Sequence, residues 1–381
     1  MDIETDVLIV GGGIAGCSAA YYLARDGVEV VLIDQGEVGR GASGRNAGSL
    51  HQQLMPFIFR EGSARERQAR VDTLPLMAAA SGVWQELSRE LDGDIELRVV
   101  GGLMVAETDD QMAFLADKAA LEQDQGLDVH MVSGNELRTL APYLSEAVIG
   151  AEYAPGEGKL NPLKAIAGLV RGAKRHGARF FEGRQLLELE RGRTGFTALL
   201  AGGRVRCRRV VNAAGPWSAR IAAKVGVSLA VEPNCVQSGV TERTEPVVDH
   251  LVCHAEKILS LKQVANGGLI IGGGWPASID PVTNGLTVMA ENVRANVALA
   301  CQVVPGLRNV RLLRSWAGVN IRSDGKPFLG EIPGVPGFYA AVPTDAGLTT
   351  APICARLVAE QMTGRQPSFD IGMFSVERAA P

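Results

Sequence analysis

Nowhere in the 381 residues does an apolar run approach the roughly 18 that a membrane-spanning helix needs, so no transmembrane segment is expected. Positive charge is not in excess either. Lys plus Arg number 38 against 42 Asp plus Glu, a formal net charge of −4, which removes the electrostatic ground for a nucleic-acid partner. The six cysteines (Cys17, Cys207, Cys235, Cys253, Cys301 and Cys354) are scattered without one C-x-x-C pair, which argues against an iron–sulfur or zinc site built from this chain alone. His130, His176, His250 and His254 show no ligand spacing with one another or with acids, so no metal is assigned. The opening residues, Met1-Asp2-Ile3-Glu4-Thr5-Asp6, are acidic where a secretory leader is basic. The expectation is a soluble cytoplasmic protein with reduced thiols, touching a membrane only through partners.

What is present is ordinary globular material, 46% hydrophobic and 21% charged, in a length that favours two domains. Glycine stands out, with 46 residues, well above its usual share of roughly 7%. Backbone packed closely against a bound cofactor is one reason for such an excess.

The first forty-nine residues carry the sharpest signal. Val7-Leu8-Ile9-Val10 reads as a buried parallel strand and runs into GGGIAG, where Gly11, Gly13 and Gly16 satisfy G-x-G-x-x-G. A helical pattern follows from Ile14 to about Arg25, Gly27 closes it, and a second strand from Val28 to Ile33 ends on Asp34. Gly11 permits the tight turn, Gly13 lets backbone approach a pyrophosphate, and Gly16 lets the helix pack closely. The N–H groups at the helix N-terminus face the phosphate charge. Asp34, 18 residues beyond Gly16, is placed to accept both ribose hydroxyls and would repel a 2′-phosphate, which disfavours NADP. Between NAD and FAD, the run Gly39-Arg40-Gly41-Ala42-Ser43-Gly44-Arg45-Asn46-Ala47-Gly48-Ser49 favours FAD. It is small, polar and glycine-rich, suited to lying along an extended cofactor where an NAD unit enters another helix and strand.

Here the chain resembles the FAD-dependent oxidoreductases of the D-amino acid oxidase, glycine oxidase and sarcosine oxidase type, whose acid-terminated second strand leads into a similar G-x-S-G-x-x-x-G loop. Further segments fit. Asn161-Pro162 opens a helix to His176, and a strand at 177–182 leads to Leu186, the position whose backbone meets adenine in the family. Val210-Val211-Asn212-Ala213-Ala214-Gly215-Pro216-Trp217-Ser218 resembles the family's A-A-G-x-W-S turn. Asp324-Gly325-Lys326-Pro327-Phe328-Leu329-Gly330 resembles its D-G-x-P-x-x-G segment, ahead of a helix from about Ala351 to Met362. The resemblance implies an α/β FAD-binding Rossmann-like domain (GR2-type) interleaved with an α+β substrate domain containing an antiparallel sheet. The FAD domain would comprise 1–80, 151–219 and 316–381; the substrate domain 81–150 and 220–315, stretches that read as short strand-like runs between polar turns. The implied FAD contacts are Gly11, Gly12, Gly13, Ile14, Ala15, Gly16, Asp34, Gln35, Gly41, Ala42, Ser43, Arg45, Asn46, Ala47, Gly48, Ser49, Leu186, Ala214, Gly215, Trp217, Pro343, Thr344, Ala346, Gly347, Leu348 and Thr349.

Gly44 to His51, with Trp316-Ala317-Gly318-Val319-Asn320 and Gly330-Glu331-x-Pro333-Gly334-x-Pro336-Gly337-Phe338, is similar to a narrower group. These are the FAD-bearing β subunits of multi-subunit dye-linked dehydrogenases: opine oxidases, hydroxyproline dehydrogenases and L-proline dehydrogenases. That similarity implies partner subunits, an FMN at a subunit interface and an iron–sulfur centre on a partner. Two departures bear on the substrate, expected to be a small amino acid, imino acid or opine oxidised at its C–N bond. Asn320 and Asp345 stand where glycine oxidases carry carboxylate-binding arginines. Arg322 either takes over the anchor, pairing bidentately with a carboxylate, or is a surface arginine. Asp345 either meets a cationic part of the substrate or caps a turn. His51 either hydrogen-bonds the flavin or the substrate amine, titrating near neutral pH, or makes a structural contact. Cys17 reads as core. No triad is expected, since amine oxidation by a flavin asks the protein mainly for orientation and electrostatics. Two other readings stay open: an oxygen-using oxidase, and a non-catalytic flavoprotein subunit for electron relay.

Overall fold

The structure, a computed structural model, describes residues 2–280, 282–283, 285–344 and 346–379, with the side chains of 58, 61 and 379 outside the description. Strand Asp2–Val10 lies at the centre of the first sheet, paired in parallel with Val30–Ile33 on one side and Gly203–Asn212 on the other. Arg179–Phe181 continues the parallel run past Val30–Ile33, and Phe338–Val342 continues it past the end of Gly203–Asn212. Val7, Leu8, Ile9 and all of Val30–Ile33 are buried on both faces, as parallel strands covered by other layers must be. The register sets Val10 beside both Ile33 and Asn212, so three carboxyl ends finish at one level. An open parallel sheet binds its ligands at that edge.

Helix Ile14–Arg25 packs on this sheet together with Leu74–Glu90, Pro162–Arg175 and Gly347–Met362. Two of the starts have causes that can be named, one local and one tertiary. Asn161 caps Pro162–Arg175, its side-chain oxygen accepting from the N–H groups of Leu163 and Lys164, and Pro162 supplies a preset φ. Helix Gly347–Met362 begins four residues before the expected Ala351, and Pro352 lies inside it. Proline has no N–H to return to the carbonyl of residue 348. That carbonyl is satisfied from outside: Trp84 Nε1 donates to Leu348 O at 3.0 Å, so the tertiary contact allows the helix to start early.

The second sheet has eight strands in the order Leu312–Arg322, Glu232–Arg243, Gly268–Gly272, Ser260–Gln263, Leu251–His254, Gly102–Ala106, Gly150–Ala154 and His130–Ser133. Its pairs are antiparallel except one: Leu251–His254 runs parallel to Gly102–Ala106. The stretch 81–150 is less strand-like than the sequence suggests, because Leu74–Glu90, Asp109–Asp124 and Gly134–Leu140 are helices. Asp109–Asp124 hides its periodicity. Its buried face reads Gln111, Leu115, Lys118, Ala119 and Glu122, with three polar positions where an apolar stripe is normally read. Lys118 is there because it meets Glu122 at 2.7 Å and Glu152 of the neighbouring strand at 2.6 Å, all three side chains fully buried.

Candidate functional site

Over the carboxyl ends of the parallel strands opens one continuous cavity of about 1000 Å³, at the top of the range for ligand pockets. Gly11 to Ala15, Asp34, Gln35 and Leu186 line one end, and His51, Asn320 and Arg322 the other. Between them run Gly41, Ala42, Ser43 and Arg45 to Ser49, with Ala214, Gly215, Trp217, Pro343, Thr344, Ala346, Gly347 and Leu348. Two expected cofactor contacts do not form the wall. Gly16 supports the turn from behind, where a Cβ would stand 1.9 Å from the Gly11 carbonyl oxygen. Thr349 is buried, and its carbonyl accepts from Trp84 Nε1 at 3.2 Å. Asp345 lies outside the described residues.

The glycine turn has the form a dinucleotide requires. Gly11 sits at φ +115°, a conformation costly for any other residue, and a Cβ there would lie 2.4 Å from the Ala213 oxygen. Asp34 is held by two backbone donors, Gly12 N–H at 2.7 Å on one oxygen and Gly36 N–H at 2.8 Å on the other. Each oxygen keeps a lone pair for a ribose hydroxyl. Ser43 Oγ accepts from Ile14 N–H at 2.8 Å, tying the flavin-type loop to the first helix start. The starts of Ile14–Arg25 and Gly347–Met362 both open into the cavity, bringing two positive dipole ends to it. Strand Leu312–Arg322 passes over the loop: Trp316 Nε1 donates to Arg45 O at 2.7 Å, and a Cβ on Gly318 would come within 3.1 Å of Arg45 Cβ. These residues fit FAD. Gly13 tests the fit, because a Cβ there already meets Ser43 Oγ at 3.0 Å and a branched side chain would fill the cradle. Gly13→Val is expected to purify folded by circular dichroism yet largely without flavin absorbance; full flavin content would refute the assignment to this turn.

At the far end, His51 is set between two elements. Its Nε2 lies 3.4 Å from Ser260 Oγ and its Nδ1 3.7 Å from Glu157 Oε2. Glu157 is fully buried. Burial alone would raise its carboxyl, but the His51 ring and the N–H groups of Gln53 and Gln52 outweigh it and hold the group below the usual range. The same carboxylate organises the chain around His51. Glu157 Oε1 accepts from Gln52 N–H at 2.7 Å and Gln53 N–H at 3.0 Å, and Glu122 Oε1 accepts from Leu54 N–H at 2.6 Å. A segment without regular structure is thereby pinned by buried acids. Asn320 lines the cavity with its side-chain oxygen turned back onto Ile321 N–H at 2.9 Å. Arg322 ends its strand exposed, in no ion pair among the described residues, and shares this end with Arg60 and Arg70. Burial pushes the Arg70 guanidinium down to about 10. Sequence reading missed Glu157, Ser260, Arg60 and Arg70. Pro155-Gly156-Glu157-Gly158 reads as a surface turn, and arginines in helical stretches read as solvated, so only the tertiary fold discloses them.

The sequence model of the family described as FAD dependent oxidoreductase matches residues 6–361. The chain is 28% identical to a glycine oxidase of Geobacillus kaustophilus, over 98% of this chain and 97% of that protein. It is 27% identical to one of the subunits of opine oxidase from Rhizobium meliloti, over 98% of each chain. The crystal structure of L-proline dehydrogenase from P. horikoshii shares the fold, with a TM-score of 0.88 at 23% identity, covering 100% of this chain and 98% of that one.

Proposed function

Because the chain belongs to the FAD-dependent oxidoreductase family, we propose that it oxidises the C–N bond of a small amino acid, imino acid or opine to an imine, as the catalytic β subunit of a multi-subunit dehydrogenase. One observation carries the reading: the cavity lined at Gly11–Ala15 by a turn of the form a dinucleotide requires is continuous with an end bearing a carboxylate-backed histidine and an arginine. Bound FAD supplies two-electron, hydride-accepting chemistry. The chain's own residues hold, orient and deprotonate. The turn at Gly11–Gly13 and the first helix N-terminus hold the pyrophosphate, and Asp34 the ribose. Arg322 pairs with the substrate carboxylate. His51 presents Nδ1–H toward Glu157, which leaves the Nε2 lone pair to take a proton from the substrate ammonium. A buried carboxylate behind the ring steadies the imidazolium that results.

Loss of this acceptor has a recognisable signature. His51→Ala is expected to lower kcat/KM by about 10²-fold near neutral pH, the low end for a positioned general base. The deficit should shrink as pH rises and the substrate amine becomes neutral in solution. A pH–rate profile checks it, and a deficit that does not change with pH would remove His51 from this role.

The multi-subunit assignment draws on the full-length similarity to a component of opine oxidase. An FMN at a subunit interface and an iron–sulfur centre on a partner belong to the same proposal. Co-purification from the native source should bring down a second flavin-binding or ferredoxin-like chain. Anaerobic titration of the purified chain with candidate amino and imino acids tests the reaction itself: a flavin that no such substrate bleaches would leave an electron-relay role in its place.

A further inference from the structure

Lys262 is one of the largest fully buried side chains in the protein. It stands on strand Ser260–Gln263 of the second sheet, and the two-residue period puts it on the same face as Ser260. Ser260 and Ser49 both line the cavity, and the Lys262 Nζ is hydrogen-bonded to Ser49 Oγ. The amine thus lies one hydroxyl behind the cavity wall. An ammonium has three N–H groups to satisfy, and among the described residues no carboxylate forms an ion pair with this one. The titratable groups facing it are few. Cys253 faces it from Leu251–His254 and Lys159 from Gly158–Lys159, while Gly268–Gly272 contributes none. Along its own face come His51, bonded to Ser260, and Glu157 behind that ring. Burial, assisted by Lys159 and opposed by Cys253, pushes the amine down to about 7.

A hydride delivered into the cavity brings two electrons and one proton and leaves net negative charge on the ring that accepts it. With the Ser49 hydroxyl in the cavity wall and the buried Lys262 amine directly behind it, that charge favours protonation of the amine. Resting on the proposed FAD chemistry, we propose that Lys262 is a proton-uptake site coupled to reduction of the cofactor: an amine while the flavin is oxidised, an ammonium while it is reduced. The balance closes: two electrons and one proton enter the ring, and one further proton from solvent converts Lys262 –NH2 to –NH3⁺, its route passing the Ser49 hydroxyl. Reoxidation releases that proton.

The test needs no substrate, because dithionite reduces the flavin directly. Each proton taken up with two electrons lowers the midpoint potential by about 30 mV per tenfold change in proton concentration. The flavin-loaded wild type should therefore fall by about 59 mV per pH unit above pH ~7, and Lys262→Met by about 30 mV. A pH indicator in weakly buffered solution should record one proton fewer per flavin in the variant. Lys262→Met replaces a buried amine by a side chain of similar length, and thermal unfolding verifies that it folds. Should it fail to load, the wild type still decides, since a slope near 30 mV per pH unit on both sides of neutrality overturns the proposal. So does a variant that keeps the wild-type slope. Absence of flavin from the wild-type chain would instead be a failure of the FAD reading.

Discussion

Lys118→Met is expected to destabilise the protein by about 3–5 kcal/mol, the usual cost of removing one partner from a buried charge cluster. The ammonium sits between Glu122 and Glu152 with every side chain fully buried. Burial foremost, then the neighbouring Glu122, raises the Glu152 carboxyl well above its usual range despite the attraction of Lys118. Lys118 is itself raised, because the two carboxyls outweigh the burial that would lower it. The signs follow. A raised lysine contributes stability that is present below its unfolded value and lost as pH rises through the folded one. A raised carboxyl favours the fold in acid, and that contribution declines as pH rises past the ordinary carboxyl value. With Lys118 gone, ionisation of either acid is uncompensated. The deficit should therefore be larger at about pH 8 than at about pH 5, where the raised Glu152 carboxyl takes up a proton more readily. Urea unfolding of wild type and variant at the two pH values measures it. A deficit under about 1 kcal/mol, or one that grows in acid, would contradict this account. Neutralising all three positions together (Lys118→Met, Glu122→Gln, Glu152→Gln) should recover most of the loss.

Arg322→Ala is expected to reduce kcat/KM by roughly 30- to 150-fold, about 2–3 kcal/mol at ~1.4 kcal/mol per decade. An amino-acid carboxylate entering the cavity needs a cation, since an unpaired charge there is expensive. Asn320 cannot supply it, being neutral and with its oxygen committed to Ile321 N–H. Arg322 ends the strand that clamps the flavin-type loop and forms part of the same wall. Its exposure sets the expected effect at the lower part of the roughly 2–5 kcal/mol that truncating one partner of a buried charge pair costs. Flavin content should not change, because the phosphate cradle occupies the opposite end. Arg322→Lys keeps the charge and loses the fork, so it should fall between wild type and alanine. Steady-state kinetics with a dye acceptor on these variants and Asn320→Ala decide the matter. A change below about threefold for Arg322→Ala would shift the anchor to Arg70.

The parts of this protein legible in its sequence are those whose causes are local. The turn at Gly11, the helix Ile14–Arg25, the Gly27 stop at φ +80° and the Asn161 cap each depend on neighbours a few residues away, and each lies where the pattern puts it. Positions set by distant partners were not legible. Lys118 and Glu122 break the apolar stripe of Asp109–Asp124 because Glu152 awaits them on another strand. Lys262, in Leu261-Lys262-Gln263, reads as the solvent face of a strand, but the face it occupies is covered by the loop carrying Ser49. Glu157 is a turn residue by composition and a buried organiser of Gln52 and Gln53 in the fold.

The nucleotide cradle is assembled from pieces far apart in the chain, and this bears on how the protein is made. The strand Asp2–Val10 that launches the glycine turn finds one partner nearby, Val30–Ile33, while the other, Gly203–Asn212, is some 200 positions later. Trp84 waits 264 positions for the carbonyl of Leu348. During synthesis at roughly 5–20 residues per second, the first half of the cradle is exposed for tens of seconds before its other walls leave the ribosome. Such long-range closure also makes for slow folding. Cofactor capture must therefore wait until Gly347–Met362 has emerged, and until then an emerging chain depends on chaperones or on the early helices to shield its unpaired strand edge.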